Sequence, residues 1–160
     1  MKDLRRNFLL IFCLCFAYVL LSCSATFAND YKGWEIASEY NAYYNYKERD
    51  SLKGNLVKFE KVTPLPGMDA GTAFFLDEGG DQILVHLCPW DYADPKETGI
   101  RKGVLTKVKG SWAEINGQDV FIAAKVKQGE DFEFKVRLTK DGKPFWTMSP
   151  EELAMELNSK

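Results

Sequence analysis

The stretch Ile83-Leu84-Val85-His86-Leu87-Cys88-Pro89-Trp90-Asp91-Tyr92 decides how this chain is read. It opens as an apolar strand and closes as a loop. Pro89 marks the change, because proline has no N–H for a sheet ladder and restricts the residue before it. The stretch holds the only histidine of the chain and the only cysteine beyond residue 23. Two aromatics and an aspartate follow the proline directly. A functional site is expected at this strand end.

Working outward, the strand itself is read as Gln82 to Cys88. The turn Glu78-Gly79-Gly80-Asp81 precedes it, with glycines that supply positive φ. Before the turn lies a strand over Thr72 to Asp77, and before that the breaker Thr63-Pro64-Leu65-Pro66-Gly67-Met68. Leu52 to Val62 is the first strand, with Val57 and Phe59 alternating against Lys58 and Glu60. Gly54 near its start predicts a bend or a close backbone approach. On the other side, Pro89 to Arg101 is a long connection expected to hold a helical turn. Gly103 to Ala113 is the fourth strand, and Gly110 within it points to a bulge. Asn116-Gly117 is the strongest hairpin signal of the chain. It leads to a fifth strand, Gln118 to Val126, and a sixth, Phe132 to Leu138.

Five to six short strands with one long connection after the third fit a mainly β protein. The expected architecture is a small Greek-key, OB-like barrel over residues 52–147. An SH3-like barrel or a small sandwich is the alternative. Residues 29–51 form a tyrosine-rich arm, with Tyr31, Tyr40, Tyr43, Tyr44, Tyr46 and Trp34. Such side chains bury a ring and keep a polar tip wet, so the arm is expected to pack on the barrel. Residues 148–160 predict a short helix, with Ser149 as N-cap, Pro150 at the first helical position and Glu152 completing a capping box.

The first residues read as an export signal. Lys2, Arg5 and Arg6 precede an uncharged apolar run from Phe8 to Leu21, long enough for a signal core and short for a membrane span. Cleavage after Ala28 gives a signal peptide of residues 1–28. The alternative is a lipoprotein signal of residues 1–22, with Leu20-Leu21-Ser22-Cys23 as lipobox and Cys23 lipidated. Either way the chain is expected in the periplasm of a Gram-negative bacterium or tethered there. Past residue 28 only Cys88 remains, so no internal disulfide is expected. That body carries 18 basic and 22 acidic residues, a net charge of about −4. A weakly acidic body lacks the electrostatic footprint of a general nucleic-acid binder.

Gly33-Trp34, Ser38-Glu39-Tyr40, Gly54-Asn55-Leu56-Val57, Thr63-Pro64-Leu65-Pro66-Gly67-Met68 and Val85-His86-Leu87-Cys88-Pro89-Trp90-Asp91-Tyr92 occur in that order. Gly110-Ser111, Ile122-Ala123-Ala124-Lys125-Val126-Lys127-Gln128-Gly129 and Gly142-Lys143-Pro144-Phe145-Trp146 follow. Over residues 33–146 this series resembles a family of small exported bacterial proteins with an OB-like domain. The same domain type occurs in the magnetosome proteins MamS and MamX. The resemblance implies the fold and export, and no particular activity. Cys88 stands where the family has glycine, and Trp90 follows the proline where the family has an intervening residue. The family's Leu-Arg-Asp before the last turn is not reproduced in register, Arg137 lying one position off. The C-terminal helix is not part of the pattern.

His86 and Cys88 are two apart on one strand and should share a face. With Asp91 or Asp94 they could ligate a metal. The resemblance supplies the histidine but not the cysteine, so such a site would be peculiar to this chain. The plainer reading makes Cys88 a small buried residue and has His86 hydrogen-bond the loop. No Ser-His-Asp order, phosphate loop or Cys-x-x-Cys motif is present, so no catalytic residue and no cofactor are expected. Lys102, Lys107, Lys109, Lys125 and Lys127 cluster in the fourth and fifth strands, with Trp90, Tyr92, Trp112 and Trp146 as aromatics. The plain reading of these lysines is a solvated face that guards a strand edge.

The sequence thus predicts a non-catalytic binding module of the cell envelope. His86, Trp90 and Tyr92 are its expected contacts to an envelope protein or small ligand. Nucleic acid is disfavoured, and membrane contact is expected only through a lipid at Cys23. The alternatives are a metal- or redox-active protein using His86 and Cys88, and a structural lipoprotein.

Overall fold

The computed structural model describes residues 30–158. The export segment, Cys23 and both cleavage readings lie outside these residues. Six strands form: β1 (Asp50–Val62), β2 (Gly71–Glu78), β3 (Asp81–Pro89), β4 (Leu105–Ile115), β5 (Gln118–Gln128) and β6 (Phe132–Lys135). They run in the order β3-β2-β1-β4-β5-β6, and a short β3–β5 pairing closes the ring. That pairing is parallel, Val85 opposite Phe121 and His86 opposite Ile122, and every other one is antiparallel. A mainly β Greek-key barrel is therefore what this sequence builds.

Alternation fills the interior. Leu52, Gly54 and Leu56 of β1 are buried while Ser51, Lys53 and Asn55 are exposed. Val108 of β4 and Val126 of β5 are buried between exposed or half-buried lysines. Two glycines permit the closure. A Cβ on Gly54 would run into the carbonyl of Asp77, so β1 can lie against β2 only without a side chain there. A Cβ on Gly110 would meet the Ile122 carbonyl, at the point where the β4–β5 register slips by one residue. That slip is a bulge on β5 at Ala124, and it bends the sheet.

Two strand bounds shift. β6 ends at Lys135, because Val136 N–H and Arg137 N–H both donate to the Ala124 carbonyl and leave the ladder (2.9 and 3.1 Å). β4 starts at Leu105, after Gly103 turns with φ +71°. The connection after β3 makes single turns closed by helix-type bonds, Ala93 N–H to Pro89 C=O and Thr98 N–H to Asp94 C=O, in keeping with the expected helical turn, and neither extends into a helix.

The arm is part of the core. Its single helical turn, α1 (Glu39–Ala42), is capped by Ser38, whose hydroxyl accepts from Asn41 N–H. Trp34 and Tyr40 are buried, their rings 4.6 Å apart edge to face, and Trp34 meets Trp146 at 5.7 Å. Trp34 Nε1 donates to the Asp69 carbonyl (2.9 Å), and Trp146 Nε1 donates to the Trp34 carbonyl (2.8 Å). The C-terminal helix, α2 (Pro150–Asn158), buries no residue. Its start is the expected capping box: Glu152 N–H donates to the Ser149 hydroxyl (3.2 Å), and Ser149 N–H donates to the Glu152 carboxylate (3.1 Å). No helix among the described residues is long and apolar enough to cross a membrane.

Candidate functional site

At the end of β3 the residues from Val85 to Pro89 are all buried. The β2–β3 register slips there, with Ala73 opposite His86 and Thr72 opposite Cys88, so Leu87 is an extra residue. His86 and Cys88 flank this bulge, both are buried, and Tyr40 of the arm packs on His86. His86 shares a hydrogen bond with the Tyr40 hydroxyl through Nδ1 (3.3 Å), where the plainer sequence reading placed the loop after the strand. Burial pulls the His86 pKa down to about 4. Cys88 Sγ donates to the Ala93 carbonyl (3.6 Å), and burial pushes its thiol up. The thiolate needed for soft-metal binding or disulfide exchange is thereby disfavoured. No group of three or more His, Cys, Asp or Glu that could hold a metal occurs among the described residues.

The expected contact trio does not form one surface. His86 is buried, and Trp90 and Tyr92 are half-buried. Lys61 lies 4.4 Å from the Trp90 ring centroid, and Tyr92 packs edge-on against Trp146 and Tyr31. Burial, then the neighbouring Cys88 and Tyr31, push the Tyr92 hydroxyl up to about 12. Beneath these rings Arg137 is buried, its guanidinium 5.0 Å from the Tyr44 ring and 4.9 Å from the Trp146 ring. The guanidinium's one hydrogen bond, to the Gly142 carbonyl, is long at 3.4 Å, so stacking between two aromatic faces does most of the holding. An arginine between Val136 and Leu138 was the only sequence hint of this arrangement.

An open groove lies elsewhere, on the barrel wall where β1, β4 and β5 meet the turn after β6. It has a volume of about 500 Å³ and is lined by Arg49, Asp50, Ser51, Lys109, Ala124, Lys125 and Thr139. Three cationic side chains thus stand around one carboxylate, and two hydroxyls complete the lining. Asp50 is engaged by Trp112 Nε1 (3.3 Å), and Lys125 pairs with Glu133 (3.2 Å). Lys109 and Lys125 face each other across β4 and β5. Lys109 and Lys125 belong to the lysine cluster seen in the sequence. Arg49, Ser51 and Thr139 are far from it in sequence and join it only through the β1–β4 pairing and the turn after β6.

No curated protein matches the chain. A family model does, over residues 48–133. That span covers more than half of the chain, including every groove residue except Thr139, and it begins after most of the arm. The order of motifs from the β1 glycine to the β5 strand end is the part of the sequence that carries the relation. The chain belongs to the MamS/MamX magnetosome protein family.

Proposed function

We propose that this protein is an exported, non-catalytic binding module of the cell envelope, working in association with the magnetosome as its family name suggests. Its groove takes a small anionic group, a phosphate or carboxylate, carried by a ligand or partner. The observation that supports this reading is the lining: Arg49, Lys109 and Lys125 around a single carboxylate, Asp50, that Trp112 already engages. Cations held near one another on a rigid sheet gain by sharing an anion, because their mutual repulsion falls as the anion binds.

Isothermal titration of the full chain with inorganic phosphate tests the reading. Saturable binding that weakens in Lys109→Gln and Arg49→Gln, with both variants melting near the parent temperature, is expected. Titration with no heat beyond dilution, or binding untouched by both substitutions, overturns it.

A further inference from the structure

The sheet carries a second layer of order around that groove. In β1, β4, β5 and β6 the cross-strand partners fall into two rows. One row is Lys53, Lys107, Lys127 and Glu133, and the other is Ser51, Lys109, Lys125 and Lys135. Six of these eight positions are lysine and one is acidic. Lys53, Lys107 and Lys109 are exposed, and Lys125, Lys127 and Lys135 are half-buried.

Like charges placed directly opposite on a sheet destabilise it. Here Lys107 is sandwiched between Lys53 and Lys127, and Lys125 between Lys109 and Lys135. Besides Asp50 in the groove, Glu133 answers them, pairing with Lys127 (2.7 Å), Lys125 (3.2 Å) and Lys135 (3.3 Å). Partial burial works to raise its carboxyl, but those three lysines outweigh it and hold the pKa at about 2. A face that only had to stay soluble and guard an edge would mix its signs. This one concentrates about five positive charges on a body of about −4, leaving about nine negative charges for the rest of the surface.

The face is broad and shallow. Four strands at about 4.8 Å spacing span roughly 14 Å. Its cations are lysines, point charges without the fork that reads one carboxylate bidentately. Leu105, exposed by 53%, continues the outward row of Lys107 and Lys109, and Val57 is exposed by 41% beyond Leu105's partner Asn55. Trp112, exposed by 43%, borders the groove through its bond to Asp50. Lysines flanked by an exposed tryptophan and exposed aliphatics match an anionic bilayer surface: the cations meet headgroup phosphates and the apolar tips reach the acyl boundary.

We propose that this lysine face docks the protein onto an anionic lipid surface, with the groove between Lys109 and Lys125 seating one headgroup phosphate. The inference rests on the groove reading for that one seat and extends it to the surrounding array. The face is a route to the membrane that does not depend on whether Cys23 carries a lipid.

The test is co-sedimentation of the full chain with vesicles of phosphatidylcholine alone and with vesicles one-quarter phosphatidylglycerol. The readout is the ratio of the two affinities, compared between the parent and a variant carrying Lys53→Gln, Lys107→Gln and Lys127→Gln. These three lysines lie outside the groove lining, and the N-terminal segment is the same in both proteins. Each lysine near an anionic surface contributes about fivefold, so the ratio should fall on the order of 100-fold. A ratio unchanged by the three substitutions overturns the proposal. So does capture of the parent by a soluble glutamate polymer with no preference for the anionic vesicles, which would assign the face to an acidic protein. Phosphate heats that persist while the vesicle ratio stays flat would defeat this inference alone. A ratio that falls as expected with no phosphate heat would defeat only the groove seat.

Discussion

His86 carries the clearest consequence of burial at a single residue. In the folded protein its pKa lies at about 4, and in the unfolded chain near the ordinary value of about 6.5. The unfolded state therefore binds more protons between these values, and stability falls as pH drops through that window. The contribution is fully present above pH of about 6.5 and lost by about 4, a change of roughly 3 kcal/mol. Urea unfolding at a series of pH values should show this slope, and His86→Gln should flatten it. A parent profile that is level across the window would contradict the burial of the imidazole. Glu133 also has a depressed pKa, but its contribution is lost below its ordinary range as pH falls toward about 2, so most of the two effects can be told apart. The sequence singled out His86 as unique and placed it correctly at a strand end. It could not show that Tyr40, 46 residues earlier, caps it.

Among elements, the arm and the C-terminal helix are opposites. The arm looks irregular in sequence, yet Trp34 is fully buried and bonded at both its indole nitrogen and its carbonyl. Trp34→Ala should cost about 3–5 kcal/mol, by lost transfer energy and the cavity left behind. The helix α2 carries the best cap signal in the chain, but it buries nothing and is tied down by Lys143 to Glu152 (2.9 Å). Truncation after Ser149 should move the melting temperature by no more than roughly 2–3 °C, as exposed ion pairs contribute little. Thermal melts of the two variants check both statements. A truncation as damaging as Trp34→Ala would mean that α2 docks more firmly than its exposure allows. Local signals thus marked where the elements lie along the chain, while their energetic weight depended on what they touch.

At the scale of the molecule, the aromatic layer of Trp34, Tyr40, Tyr44 and Trp146 joins the arm to β3 at His86 and, through Arg137, to the segment after β6. Arm and barrel should therefore unfold as one unit. Tryptophan fluorescence of a variant carrying Trp90→Phe and Trp112→Phe, which leaves Trp34 and Trp146 as the only tryptophans, should change at the same denaturant concentration as the far-ultraviolet signal of the sheet. An earlier fluorescence transition would show an arm that detaches. The order of the strands along the chain, the alternation, the Asn116-Gly117 hairpin, the breaker after β1 and the capping box at Ser149 were determined by sequence alone, because each depends on residues that are neighbours in the chain. Register was not. The hairpin by itself pairs Ile115 with Gln118 and, continued without a break, would set Lys107 against Val126. The bulge at Ala124, accommodated by the bare backbone of Gly110, moves the register by one and sets Lys107 against Lys127 and Lys109 against Lys125. Barrel closure then brings Arg49, Lys53 and Lys135 alongside. The lysine face and its groove, like the aromatic stack on Arg137, exist only where distant segments meet, so only the tertiary structure decided them.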